Sequence, residues 1–170
     1  KLQVIKTFNV LTESIQIPYE LNESQQAAIT EAYTTNLDLY INGWKDEQII
    51  RLREKTQQNA ALGYRADRLA SIVKSEYGVS KSKAAFLARQ ETSLFVSKYR
   101  QERYTDAGVR SYIWSTSHDE RVRPGHKDLQ GRVFHWDSPP IVDPATGRTA
   151  NPGEDFNCRC LALPVINLRG

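Results

Sequence analysis

Apolar residues recur at helical spacing along most of this chain, and from Val109 onward they fall at alternate positions. A period of 3.6 and a period of two cannot share one kind of element, so the chain must join a helical part to a small sheet. Residues 25–41 carry Ala28, Ile29, Ala32, Tyr33, Leu37 and Tyr40 on one stripe, with Asn22 or Ser24 as cap and Asn42-Gly43 as stop. Asp46 is expected to cap a second helix that carries Ile49, Ile50, Leu52 and Thr56 and fades at residues 60–63. A third runs over 65–77 with Leu69, Ile72, Val73 and Tyr77 on one side, and stops at Gly78. Ser80 caps the longest, over 81–104, whose broad apolar face holds Ala84, Ala85, Leu87, Ala88, Phe95, Val96 and Tyr99. Ahead of these, residues 1–19 read as an extended arm, an edge strand or a linker, ended by Pro18.

Beyond Val109 the elements shorten. Residues 110–115 alternate and are rich in β-formers, and 132–136 form a second short strand. Between them Pro124 suits the first turn of a short helix over 123–129, and Gln130-Gly131 makes a turn. Residues 138–155 are rich in Pro and Gly and read as one long loop. Residues 160–165 are apolar enough for a buried third strand. The expected fold class is α+β: N-terminal antiparallel helices with a long helix packing on a small C-terminal antiparallel β-sheet module. The expected division is a helical region at 1–80 and a module at 81–170.

Composition excludes little. With 39% hydrophobic and 25% charged residues the chain can bury a core. A net charge of +3 permits contact with nucleic acid without implying it, because charges of both signs are mixed along the chain. No run of eighteen apolar residues and no signal peptide is present, so neither a membrane span nor a cleaved leader is expected. The chain begins at Lys1 and has no methionine, which is expected of a fragment.

All three histidines, both cysteines and two of the three tryptophans lie between Trp114 and Cys160. Cys158 and Cys160 are too close in sequence for an unstrained disulfide, which points to a reducing compartment. Residues two apart on a strand share a face, so both thiols turn the same way. That serves a zinc site, with His126 as the first further ligand, and it serves two packed core thiols equally well. His118, Asp119, Arg121, Arg123, His126 and His135 also supply the residue types of acid–base hydrolysis at a phosphodiester. The simpler alternative is that Asp119 pairs with Arg121 or Arg123 and caps the short helix. Trp114 and Trp136 read as core. Arg159, between the cysteines, should point to solvent or to an acidic partner. Arg103, Arg110, Arg121, Arg123 and Arg132 could line a basic face.

The series from Trp114 through His118-Asp119-Glu120-Arg121-Val122-Arg123-Pro124-Gly125-His126, Leu129-Gln130-Gly131, Pro139-Pro140 and Pro152-Gly153-Glu154 to Asn157-Cys158-Arg159-Cys160 resembles the Mu F-like head-morphogenesis family of tailed phages. The helix before the motif, from Ala84 to Tyr99, fits that pattern as well. Gln130 departs from it, standing where an acidic residue often precedes the glycine. The resemblance implies a minor head protein that joins the procapsid, associates with the portal and travels with the DNA. The family's polar and cysteine positions carry over to Asp119, Arg123, His126, Gly131, Cys158 and Cys160.

The leading expectation is therefore a non-enzymatic virion component, assembled in the bacterial host cytoplasm. Its partners would be portal, scaffold or capsid protein, with DNA as a further candidate and no membrane. In it, Asp119, Arg123, His126 and Gly131 would form a structural polar knot, with no cofactor or with zinc on His126, Cys158 and Cys160. The alternative is a metal-dependent or acid–base hydrolase or nuclease using His126, Asp119 and Arg123.

Overall fold

The computed structural model describes residues 22–24 and 44–166. The arm expected at 1–19 and the helix expected at 25–41 lie outside the described residues. The architecture is α+β, with helices first and a small antiparallel sheet at the C-terminal end. It forms two compact units that divide between Thr92 and Ser93.

The first unit holds α1 (Asp46–Ala61), α2 (Ala66–Tyr77) and the beginning of α3 (Lys81–Asp106). Lys45, and not Asp46, is the cap residue of α1; the Gln48 side chain reaches back to accept the Lys45 backbone N–H. Ser80 caps α3, its hydroxyl accepting the Lys83 N–H. The helices meet on the apolar stripes that the periodicity marks: Leu52 from α1, Leu69 and Val73 from α2, and Ala84, Leu87 and Ala88 from α3 are all buried together. Trp44 stacks on Tyr77 at the edge of this core, 4.5 Å between centroids.

The second unit is built around β1 (Ser111–Ser115), the middle strand of a three-stranded antiparallel sheet. β2 (Val133–His135) lies on one side and β5 (Leu161–Pro164) on the other. Alternation along β1 buries Tyr112 and Trp114 beneath the sheet, where they join Leu129, Trp136, Val142, Ala150, Cys158 and Cys160. Tyr104, from the last turn of α3, stacks on Trp136 at 6.0 Å.

Two expectations need correction. Residues 138–155 are not one loop: β3 (Ile141–Asp143) and β4 (Arg148–Thr149) pair there as a short hairpin. Its turn is held locally, because the Asp143 carboxylate accepts the Ala145 N–H and the Thr146 hydroxyl. With only Ile141 and Val142 as apolar residues, so short a hairpin leaves almost no periodic signal. Nor is the third strand buried. β5 is an edge strand, and its outward residues Leu161 and Leu163 are 47% and 43% exposed.

The short helix α4 (Pro124–Lys127) packs on β3, and Gly125 is the point of closest approach. A Cβ at Gly125 would sit 2.8 Å from the backbone oxygen of Val142, well inside van der Waals contact. Gly125→Ala should therefore lower the unfolding free energy by about 1–3 kcal/mol, and Leu69→Ala in the helical core by about 2–5 kcal/mol. Urea denaturation followed by tryptophan fluorescence and circular dichroism reads both. A Gly125→Ala protein as stable as wild type would show that α4 is not pinned to β3.

Candidate functional site

Five short stretches supply the site: the start of α4, the β4 strand, the turn at 152–158, the cysteines before β5, and the serines of α3. The turn is laid down first. Ser93 and Ser97 are one helical turn apart on α3, so both hydroxyls face the same way. Ser93 donates to the carbonyls of Gly153 and Cys158 at 3.1 and 3.2 Å, and Ser97 donates to that of Pro152. Gly153 lies in the left-handed region at φ +89, and a Cβ there would sit 3.0 Å from the Ser97 Cβ, so both conformation and space call for glycine. Lys98 pairs with Glu154, whose other oxygen accepts the Asn151 N–H. Asn151 in turn accepts the buried Tyr112 hydroxyl at 2.8 Å.

This turn drives Asp155 into the interior. Its side chain is 1% exposed, and three cationic groups converge on it. The Arg123 guanidinium approaches Oδ2 at 2.5 Å, His126 Nε2 lies 2.9 Å from the same oxygen, and Arg148 Nη2 lies 2.8 Å from Oδ1. Arg123 also donates to the Phe156 carbonyl. Burial pushes the Asp155 carboxyl up, but the His126 hydrogen bond, the Phe156 N–H and the two arginine charges together hold it below the usual carboxylate range. The bond to Asp155, helped by Cys158 and opposed by burial, raises His126 to about 9.

The other imidazole nitrogen faces the cysteines. His126 Nδ1 is 3.7 Å from Cys158 Sγ and 3.5 Å from Cys160 Sγ, and all three residues are buried. The backbone N–H groups of Gly153 and Cys160 both point at Cys158 Sγ, each at 3.4 Å. Hydrogen bonding from Cys160 is the largest influence on Cys158 and brings it down to about 5, while the same contact and burial push Cys160 up. The pair thus releases its first proton early and its second late. Trp114 closes the inner wall, its ring edge-on to His126 at 5.5 Å. On the outer side a cavity of about 20 Å³ opens beside the three residues, with Ser117, Arg121 and Asn157 in its wall. Among the described residues, His126, Cys158 and Cys160 are the side chains that could jointly hold a metal ion.

The residues expected to form a polar knot do not all meet. Arg123 and His126 come together, but Asp119 stands apart from them on the surface, in a two-pronged pair with Arg159 at 2.5 and 2.7 Å. It does not cap α4, whose cap residue is Arg123 and has no side-chain capping bond; the Asp119 carboxylate accepts the Arg121 N–H instead. The acid–base set of Asp119, Arg123 and His126 is accordingly not assembled at one place. Gly131 lies outside the cluster, at φ +76 in the turn into β2, where its N–H bonds to the Trp114 carbonyl. The preceding Gln130 accepts the N–H and hydroxyl of Thr116 through one amide oxygen, a task that a carboxylate would do equally well. His118 and His135 lie away from the cluster.

Asp155 and Arg148 are the members that sequence reading passes over. Asp155 sits inside the PGEDFNCRC stretch, and its spacing of three before Cys158 was the available signal: its carbonyl accepts the Cys158 N–H. Arg148 had none, because its hairpin was not visible. Replacing Asp155 by Ala leaves three buried or half-buried cationic groups without their anion, and should cost about 3–5 kcal/mol of stability. Asp119→Ala removes only a surface pair and should cost far less. Parallel thermal and urea melts compare them; equal losses would remove Asp155 from the centre of the knot.

A family model described as Phage Mu protein F like protein matches residues 50–163. An uncharacterized protein of Haemophilus influenzae is 31% identical over 127 residues, which cover 75% of this chain and 27% of that protein. The chain thus spans little more than a quarter of the length of the curated relative it matches. No solved structure matches it. The family match runs through every residue of the cluster, from Arg123 and His126 to Arg148, Asp155, Cys158 and Cys160. The chain belongs to the Phage Mu protein F like family and is a phage-head-related protein.

Proposed function

We propose that this chain is a non-enzymatic component of the phage head, which binds portal, scaffold or capsid protein during assembly in the host cytoplasm and remains in the virion. Family membership supplies the setting. The observation that carries the binding role is the outward face of the three-stranded sheet. In the strand register Ile113 stands between Val133 and Leu163, and Ser115 beside Leu161, so all point away from the buried Tyr112 and Trp114. Val133, Leu161 and Leu163 are 57%, 47% and 43% exposed. Ser111 and His135, hydrogen-bonded at 3.2 Å, give this face a polar border. A contiguous apolar surface with a polar rim suits a protein partner.

A hydrolase reading gains no comparable support, because His126 is 3% exposed with Nε2 held by Asp155, and Asp119 lies elsewhere. Contact with DNA gains little either. Arg123 is committed to Asp155, and Arg132 lies over the Phe134 ring. No helix among the described residues is long and apolar enough to cross a membrane.

Co-purification with the portal, scaffold and capsid proteins of the same phage genome tests the reading. One of them should be retained by the chain. Val133→Asp combined with Leu163→Asp should weaken that complex at least tenfold, about 1.4 kcal/mol, with the fold intact by circular dichroism. A folded wild-type chain that retains none of the three, and is absent from purified heads, would overturn it.

A further inference from the structure

We propose that His126, Cys158 and Cys160 bind one zinc ion, through Nδ1 and two thiolates, with an exchangeable water in the fourth position. The site is independent of the head-assembly role and stands on its own geometry. Zinc bonds of about 2.0–2.1 Å to nitrogen and about 2.3 Å to sulfur, set at the tetrahedral angle, separate the two donor atoms by about 3.6 Å. Nδ1 lies 3.7 and 3.5 Å from the two sulfurs, and the three donor atoms all lie within 4.8 Å of one another. Both nitrogen–sulfur separations match that value.

The hydrogen bonds around the cluster suit a metal ion. His126 Nε2 is held by the Asp155 carboxylate, which turns the other ring nitrogen, Nδ1, toward both sulfurs. Two sulfurs converge on that one nitrogen. A cation satisfies all three donors at once. Carboxylate–histidine–zinc is also the arrangement in which an outer carboxylate fixes the tautomer and orientation of a ligand histidine. The Gly153 and Cys160 N–H groups aimed at Cys158 Sγ suit a thiolate, since a neutral thiol is a weak acceptor. Charges balance as well: two thiolates neutralise the ion, while Arg123 and Arg148 offset Asp155 and Asp143.

Three protein donors leave one position open. No fourth His, Cys, Asp or Glu joins the cluster among the described residues. The adjoining cavity of about 20 Å³ has room for one water. Imidazole and thiolate donors favour zinc among abundant divalent ions, and Arg121 in the cavity wall favours an anionic or polarised ligand at the open position.

Elemental analysis of wild-type protein purified without chelator should find about one zinc per chain. After replacement by cobalt, the spectrum should show thiolate-to-metal charge transfer and tetrahedral visible bands. Cys160→Ser and His126→Ala should lose the metal, and His135→Ala, a histidine outside the cluster, should keep it. Asp155→Asn should weaken zinc about 10- to 100-fold in competition with a chromophoric chelator. Because substitutions at the cluster can unfold the chain, the deciding measurement uses the wild type: folded protein that carries no metal, and shows no saturable zinc binding below about 1 mM, overturns the site. Added azide or imidazole should shift the cobalt bands. An unchanged spectrum at saturating azide and imidazole would overturn the open fourth position.

Discussion

Asp155 is a buried carboxylate, and such a group persists in a protein interior only when cations and donors surround it. Here the surroundings come from three places in the second unit. Arg123 and His126 arrive from the start of α4, Arg148 from the β3–β4 hairpin, and the Phe156 N–H from the turn itself. The hairpin also packs Val142 into the apolar core, and the turn packs Cys158 there. Asp155 ties these stretches to one another by charge.

The anchor for that charge is the far half of α3. A helix presents side chains one turn apart on the same face, and Ser93 and Ser97 use this to hold the carbonyls of Pro152, Gly153 and Cys158. Gly153 lets the backbone come close enough for those bonds to form. Below the turn, Tyr112 and Asn151 tie it to the sheet. A regular helix and a regular strand therefore define the position of an irregular segment, and the irregular segment carries Asp155 and Cys158.

The sheet divides two tasks between its faces. Its inner face holds Tyr112 and Trp114 against the cysteines and His126, which dries and rigidifies the surroundings of the two sulfurs. Its outer face holds the half-buried Ile113 and the exposed Val133, Leu161 and Leu163. The period of two in β-strands is sufficient to keep the proposed metal chemistry and the proposed partner surface on opposite sides of one layer.

Much of this is legible along the chain. The stripes of Leu52, Leu69, Val73, Leu87 and Ala88 announce the helices and their shared core, and the alternation at 111–115 announces the central strand. The same period of two places Cys158 and Cys160 together before any fold is known. These features are local: they depend on backbone dihedral angles and on neighbours a few residues away. Which acid would meet His126 was not legible. Asp119 is seven residues from it in sequence and Asp155 is 29, yet the nearer one turns to Arg159, 40 residues away. Charge pairing follows distance in space, and that distance is set by how a Pro- and Gly-rich turn is pinned to a helix some sixty residues upstream. The sequence by itself determined the helices, the central strand and the histidine and cysteines of the site; only the tertiary structure decided the β3–β4 hairpin and which residues became partners, because chain reversals bring them together without leaving a periodic trace.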